Sequence, residues 1–505
     1  MPQKQKLSTY FGLVFFLFTP YLIAAEKDAT VSVSINCQSN TNEHQHCPAD
    51  TAAGALLQKS TGSVECLLGK TWGYDDKGVW VKDGCSGDFL VGPQTEAEKS
   101  AESSATPRNE TWGYFDPGKG ILLGKSKYGE ASLSGYALLR YMNQMPSSQT
   151  FTDHLGREQD VDPRQDIYSH RVMVFLTGWM YTPKLIYNFA WWTVTATDQD
   201  ALFANLGYQF HKSFNLYAGI NGNPGSRSMQ GSHPYWLGND RVMADEFFRP
   251  FFAQGIWANG EVLPGLWYSA MAGNTSSTLG VTASQIDRKF TYGASMWWMP
   301  TTKEFGPRGA YGDWENHEQV ATRFGFSTVY SPEERYTEIG NNPGNTAIKL
   351  ADSLNVFSIG SLAPGVTVTN VSYQNLALDA GAKYQGIFVQ TEFSVRRLDN
   401  FEADGALPVE EIVDWGFYVQ AAFYPIKKKL ELYTATSQIY GDTDAGFGRS
   451  YEYLIGTNYY PANTRNFRVN LQVIDVNRSP VNSTFGYYTG GQDGTTVALA
   501  ASLFF

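Results

Sequence analysis

Asn466-Phe467-Arg468-Val469-Asn470-Leu471-Gln472-Val473 alternates polar and apolar residues without a break. Period two is the signature of an extended strand, whose successive side chains point to opposite faces. One face carries Phe467, Val469, Leu471 and Val473, and the other Asn466, Arg468, Asn470 and Gln472. Residues 414–424 repeat the pattern, with Trp415, Phe417, Val419, Ala421 and Phe423 set against Asp414, Gly416, Tyr418, Gln420 and Tyr424. In 451–459, Tyr451, Tyr453, Ile455 and Tyr459 alternate with Glu452, Gly456 and Asn458. In 387–396, Ile387, Val389, Phe393 and Val395 alternate with Gln390, Glu392, Ser394 and Arg396. Each run is about ten residues, the length that crosses a bilayer when tilted. An apolar outside and a polar inside are what a lipid-embedded barrel requires. A soluble sandwich also alternates, but over strands of about five or six residues.

Counting backward from the C-terminus predicts sixteen strands, near 495–505, 465–476, 451–460, 429–440, 414–424, 382–397, 365–377, 320–331, 288–299, 263–272, 249–257, 213–220, 202–210, 184–195, 169–181 and 130–142. The fold class expected is therefore all-β, a transmembrane antiparallel barrel. Short turns are expected at Thr182-Pro183, His211 to Ser213, Asp379-Ala380-Gly381, Pro425 to Lys428 and Pro461 to Thr464. Longer loops fall at 143–168, 221–248, 273–287, 332–361, 398–413, 440–450 and 477–494, with a short one at 196–201. Short and long connections alternate, as they do in outer-membrane barrels. The stretch 300–319 fits poorly, because it should be a short turn and is long. On the last strand Thr495, Val497, Leu499, Ala501, Leu503 and Phe505 share a face, and the terminal aromatic resembles the signal read by the barrel-assembly machinery.

Composition agrees. Aromatics are 15% of the 505 residues and charged residues only 17%, below the quarter or so usual in soluble domains. The mean hydropathy of -0.31 argues against a helical membrane protein. Residues 1–25 read as an export signal: Lys4 and Lys6, the apolar run Phe11 to Phe18, then Ala24-Ala25. The formal charge of -11 divides into +2 over 1–25, -6 over 26–110 and -7 over 111–505, which invites no nucleic acid.

Ahead of the barrel, Cys37, Cys47, Cys66 and Cys85 form an even set in an exported chain and predict two disulfides, with the pairing open. No Cys-x-x-Cys pair favours zinc. Trp72-Gly73-Tyr74-Asp75 and Gly78-Val79-Trp80-Val81 flank an Asp-Asp-Lys-Gly turn and predict a hairpin. The expected organisation is a signal at 1–25, a four-cysteine β module at 26–92, a polar linker at 93–110 and a barrel at 111–505.

Four stretches carry a resemblance: 178–184 (GWMYTPK), 240–250 (DRVMADEFFRP), 362–366 (LAPGV) and 379–384 (DAGAKY). With them the barrel resembles the phosphate-selective porin O and P family over most of 111–505. The resemblance implies a sixteen-stranded trimer in outer-membrane lipid that passes small polar or anionic solutes by diffusion, phosphate being the family's own solute. The N-terminal module resembles a small uncharacterised bacterial domain, on Trp72 to Asp75, Gly78 to Val81 and Gly84-Cys85, which implies no activity.

The loop 221–248 is the one expected to fold inward and narrow a channel. Pore-constriction candidates are Arg227, Asp240, Arg241, Asp245, Glu246 and Arg249, whose opposite charges would separate across the passage. Lumen-facing candidates are Glu392, Arg396, Asn458 and Arg468. The barrel's net charge and its Asn, Gln, Tyr and Glu faces point to a general polar channel rather than a phosphate filter. Asp313, Glu315, His317 and Glu318 cluster as metal ligands would, but read better as a solvated connection on the periplasmic side. Trp191-Trp192 and Trp297-Trp298 read as aromatic girdle. No catalytic motif, cofactor site or metal site is expected. The rival readings are a barrel enzyme, which would want a Ser–His pair facing lipid, and a secreted or outer-membrane glycan-binding protein.

Overall fold

The computed structural model describes residues 33–51, 55–62, 64–75, 77–91, 120–194, 199–231, 233–274, 289–343, 348–483 and 486–505. The export signal and the linker expected from the sequence lie outside these residues. The chain divides into two compact units, one ending at Ala105 and one beginning at Thr106.

The first unit holds two three-stranded antiparallel sheets. β1 (Val33–Gln38), β6 (Ser86–Val91) and β3 (Ala55–Ser60) make one, in the order β1-β6-β3. β2 (His44–Pro48), β5 (Gly78–Lys82) and β4 (Trp72–Asp75) make the other, in the order β2-β5-β4. The predicted hairpin is β4–β5. Disulfides join Cys37 to Cys47 and Cys66 to Cys85. They sit in a small core where Trp72 lies 4.9 Å from Phe89, with Val79, Val81 and Val91 around them.

The second unit is a closed antiparallel barrel of sixteen strands. In order these are β8 (Gly129–Pro146), β11 (Gln165–Met180), β12 (Thr182–Val194), β13 (Gln199–His211), β14 (Phe214–Gly222), β15 (Phe252–Leu263), β16 (Leu266–Asn274), β17 (Phe290–Trp298), β18 (Ala321–Glu334), β19 (Val368–Tyr384), β20 (Ile387–Ala403), β21 (Glu411–Ile426), β22 (Leu430–Tyr440), β23 (Arg449–Tyr459), β24 (Phe467–Asn477) and β25 (Gly494–Phe504). A short strand, β7 (Ile121–Ser126), pairs with the start of β8, and β9 (Thr150–Thr152) and β10 (Glu158–Asp160) form a hairpin in the first long loop. The barrel closes where β25 pairs with β8, from Gly494 opposite Pro146 to Phe504 opposite Tyr136.

The wall is inside out relative to a soluble fold. On β21, Trp415 and Phe423 are exposed on the outside while Asp414, Tyr418 and Gln420 are buried inside. On β24, Leu471 and Val473 face out, and Arg468, Asn470 and Gln472 face in. β25 keeps Leu499, Leu503 and Phe505 outside, as its alternation predicts.

Three expectations are corrected. Asp379-Ala380-Gly381 is not a turn: β19 runs through it to Tyr384, and the chain reverses at Gln385-Gly386, both with positive φ (48° and 84°). Asp and Gly resemble turn residues, but here Asp379 receives Arg323, and a Cβ on Gly381 would meet the Phe305 ring at 2.9 Å. The connection 300–319 is not solvated throughout, although Glu315 and Glu318 are exposed. It folds back into the lumen, where Phe305 and Tyr311 are buried, Tyr311 stacks on Phe388 at 5.8 Å, and buried Asp313 accepts the Gly386 N–H at 2.7 Å. The tryptophan pairs are only half girdle. Trp191 (55% exposed) and Trp298 (50%) face out, whereas Trp192 (6%) faces in and Trp297 packs against the inner core. Adjacent residues of one strand point to opposite faces, so both members of a pair cannot face lipid.

Candidate functional site

The sequence between β14 and β15 cannot continue as strand. Pro224, Gly225 and Pro234 interrupt it, and the chain turns inside the barrel. It forms a short 3-10 turn at Arg227–Gln230 and one helix, α1 (Met243–Phe248). What holds it there is the polar inner wall.

Arg468 of β24 donates to the carbonyls of Trp236 (2.6 Å), Leu237 (3.3 Å) and Gly238 (3.2 Å) and to Asn239 Oδ1 (2.8 Å). Asn458 of β23 adds a bond to the Leu237 carbonyl at 2.9 Å. Glu452 of β23 accepts the Met243 N–H at 2.9 Å at the start of α1, together with the hydroxyls of Ser437 (2.7 Å) and Tyr488 (2.6 Å). Tyr373 of β19 donates to the Phe248 carbonyl at 2.6 Å. Arg171 of β11 reaches Asp240 at 3.1 Å. These strands lie on separate arcs of the wall, so the loop crosses the lumen between them.

All six constriction candidates lie in this loop or at its end, and each packs against the inner wall or its neighbours. Their charges do not separate as expected. Arg249 grips Glu246 through two bonds, of 2.9 and 2.6 Å, and Arg241 lies 3.7 Å from Asp245 and 3.8 Å from Glu246. Arg241 and Asp245 are four apart and Glu246 and Arg249 three apart, spacings at which side chains are neighbours along a helical turn, which pairs them locally. Ser228 joins this cluster, donating to Asp245 at 2.8 Å and accepting from Arg241 at 2.8 Å. The backbone N–H of Arg227 instead points to Glu392, at 3.1 and 3.3 Å from its two oxygens.

Glu392, Arg396, Asn458 and Arg468 all face inward and are buried. Arg396 pairs with Asp414 at 2.5 Å and lies 4.0 Å above the Phe247 ring of α1. Inward carboxylates occur on six consecutive strands, β18 to β23: Glu333, Asp379, Glu392, Asp414, Glu431 and Glu452. Arg468, Arg140 and Arg171 stand on β24, β8 and β11. Sequence reading singled out the loop and set Glu452 on a polar face, but passed over Arg171 and Arg323 and read Asp379 as part of a turn. Strand parity alone marks each of them as inward.

The second intruding segment meets the loop from the short-turn end. Arg227 donates to the Gly309 carbonyl, Arg308 donates to the Gly231 carbonyl at 2.6 Å, and the Tyr311 N–H donates to the Tyr235 carbonyl at 2.8 Å. Within the segment, His317 is held between Asp313 on Nδ1 and Glu304 on Nε2 (2.7 Å). Asp313, Glu315 and His317 offer ligand atoms within 4.8 Å of one another, but both imidazole nitrogens already face carboxylates.

At the long-loop end, the first loop is fastened to two others. His154 bonds Asp352 at 2.6 Å and packs 4.3 Å from Phe447. Beside it, burial pushes the pKa of Asp153 up, but bonds from the Arg157 N–H, the Arg157 side chain and Gln159 outweigh it and hold the carboxyl below its ordinary value.

A family model described as a protein of unknown function, DUF3011, matches residues 34–114. No curated protein matches the sequence. The barrel is similar to the outer-membrane OmpT of Vibrio cholerae, with 12% identity, 76% of this chain and 99% of that chain covered, and a TM-score of 0.45. It is similar to an anion-selective porin from Comamonas acidovorans, with 11% identity, 75% and 100% covered, and a TM-score of 0.44. It is also similar to the outer-membrane channel DcaP of Acinetobacter baumannii, with 10% identity, 77% and 100% covered, and a TM-score of 0.46.

Proposed function

We propose that this protein is a porin, a passive channel for small polar or anionic solutes in the outer membrane of a Gram-negative bacterium. The observation that carries the reading is the inverted wall: sixteen strands with aromatic and aliphatic residues outside and Arg, Asp, Glu, Asn and Gln inside. Only lipid outside and a hydrated or polar-filled lumen inside satisfy both faces. The short-turn end then faces the periplasm and the long loops face outward, with the N-terminal module on the periplasmic side. Assembly as a homotrimer and recognition of Phe505 by the barrel-assembly machinery belong to the same proposal.

The lumen is narrowed from both ends, by the loop between β14 and β15 and by the segment between β17 and β18. Its charges are paired wall to wall and wall to loop, so the channel is a general one with modest ion preference rather than a tight phosphate filter. The test is planar-bilayer conductance of the purified protein, with the reversal potential measured in a salt gradient. A protein soluble without detergent, or one that inserts and carries no current, ends this reading. Block of chloride current by micromolar phosphate would restore the phosphate selectivity that the family resemblance implies.

A further inference from the structure

In the first unit, the sheet β2-β5-β4 packs one face against the small core and turns the other outward. Val79 and Val81 of β5 and Trp72 of β4 are buried on the inner face. Alternation sends Trp80 and Gly73 the other way. Trp80 stands opposite both His46 of β2 and Gly73 of β4, and His44 stands opposite Lys82. Directly opposed residues share a face, so these five make one surface. The Trp80 indole lies on Gly73, where a Cβ would sit 2.4 Å from its Cζ2 and 2.6 Å from its Cε2. Glycine is thus a floor for the ring, which is half-buried. The exposed His44 ring runs nearly parallel to it, 21° apart with centroids at 5.6 Å, and widens the flat surface. At the rim, His46 reaches across β5 so that its Nε2 lies 2.9 Å from Asp75 Oδ1, and the Lys77 N–H donates to the same oxygen at 2.9 Å. The Asp75 side chain so held is still 45% exposed. Lys82 lies 4.0 Å from Asp83. Charges at the rim therefore have near partners of opposite sign, and among the described residues this face carries no one-signed patch for a charged polymer.

We propose that this face binds a β-linked chain of N-acetylated pyranoses, the glycan of the periplasmic wall. Such sugars hold most of their substituents equatorially, so each ring presents a flat face of C–H bonds. Those hydrogens meet the negative face of an indole as an aromatic edge does. The rim matches the polar groups that remain: the fixed Asp75 carboxylate accepts hydroxyl and acetamide protons, and His46 and Lys82 stand beside it as donors. The source of the glycan follows from where the chain enters the barrel. β8 begins at Gly129, opposite Met180, next to the short turn into β12. The module is therefore joined at the short-turn end. With that end in the periplasm, as proposed above, the wall is the glycan it meets. The inference rests on that orientation and not on a conducting pore.

The test uses the full-length protein in detergent, with purified insoluble wall sacculi as the probe, read by co-sedimentation. The unmodified protein should pellet with the sacculi, be released when a muramidase digests them, and be displaced by soluble oligomers of N-acetylglucosamine. Trp80→Ala should weaken binding by roughly tenfold, the scale of one lost aromatic contact. Trp80→Phe, which keeps a ring, should retain most of it. Trp80 projects from the outer face, so either change leaves Trp72, Val79 and Val81 in place, and both are read only on protein with no free thiol. Displacement by the saccharide needs no variant at all. Unmodified protein that stays in the supernatant, or Trp80→Ala that pellets equally well, overturns the proposal. Displacement by soluble wall peptides and not by the saccharide overturns the glycan as occupant. Failure of the channel reading shows separately, as protein that pellets with sacculi yet carries no current in bilayers.

Discussion

At the barrel's seam, Gly135 of β8 exchanges backbone hydrogen bonds of 3.0 Å each way with Phe505. The Phe505 ring lies over the glycine, 2.7 Å from where a Cβ would stand. A terminal aromatic thus covers a bare patch of backbone on the lipid face, an arrangement that fixes the register of the closing pair. Gly135→Val displaces the ring and is expected to cost about 1–3 kcal/mol by overpacking. The measurement is the fraction of unboiled protein that migrates as the compact form, which should fall. No loss would mean that the ring's seat does not matter to closure. Inside the lumen, Arg468→Ala removes four contacts to residues 236–239, those to the Trp236 and Gly238 carbonyls among them, while Asn458 still meets the Leu237 carbonyl. Hydrogen bonds to charged groups are worth about 1.5–3 kcal/mol each, so the loop should loosen. Single-channel conductance is expected to rise by roughly twofold, with noisier openings, since loop position sets the pore's width. Arg468 was legible from alternation alone, because a lone arginine between Phe467 and Val469 can only face in. Its role as an anchor was not, because the carbonyls it binds are 230 or so residues away and have no sequence signal.

Among elements, the sixteen strands were readable because one physical constraint, lipid outside and polar groups inside, acts on every one of them. Even their order and pairing follow, since each strand pairs with its neighbour in sequence. The errors fall where a side chain serves the lumen rather than the turn. Asp379 and Gly381 look like a reversal and are instead an arginine partner and a gap for Phe305. The segment 300–319 was anomalous in length, and its content explains why: Phe305 and Tyr311 are apolar surface that must be buried, and the lumen is where it is buried. Replacing 301–318 by a short Gly-Asn turn should therefore widen the channel from the short-turn end and increase conductance, while circular dichroism stays that of a barrel. It should also release the loop's contacts at Gly231 and Tyr235. Unchanged conductance in a folded variant would place the segment outside the passage.

For the whole molecule, the two units rest on different physics. The barrel closes every edge, so its backbone bonds are satisfied strand to strand and lipid holds it from outside. The N-terminal unit is small, and its core among described residues is a few side chains, Trp72, Val79, Val81, Phe89 and Val91, around two disulfides. A core of that size gives little net stability, and removing a native disulfide from such a domain typically costs about 2–5 kcal/mol. The four cysteines announced the staples in the sequence. The pairing was not readable there, because it depends on β1 meeting β2 through Cys37–Cys47 and on Cys66 meeting Cys85, the residue just ahead of β6. Reduction of the folded protein should accordingly unfold the first unit alone. Near-ultraviolet circular dichroism should lose a contribution from Trp72, and protease should clip ahead of residue 106, while the barrel keeps its heat-dependent gel shift and its conductance. Mass spectrometry should find no free thiol before reduction and four after. If reduction abolishes the gel shift as well, the barrel depends on the module for its stability, and the two units do not unfold separately.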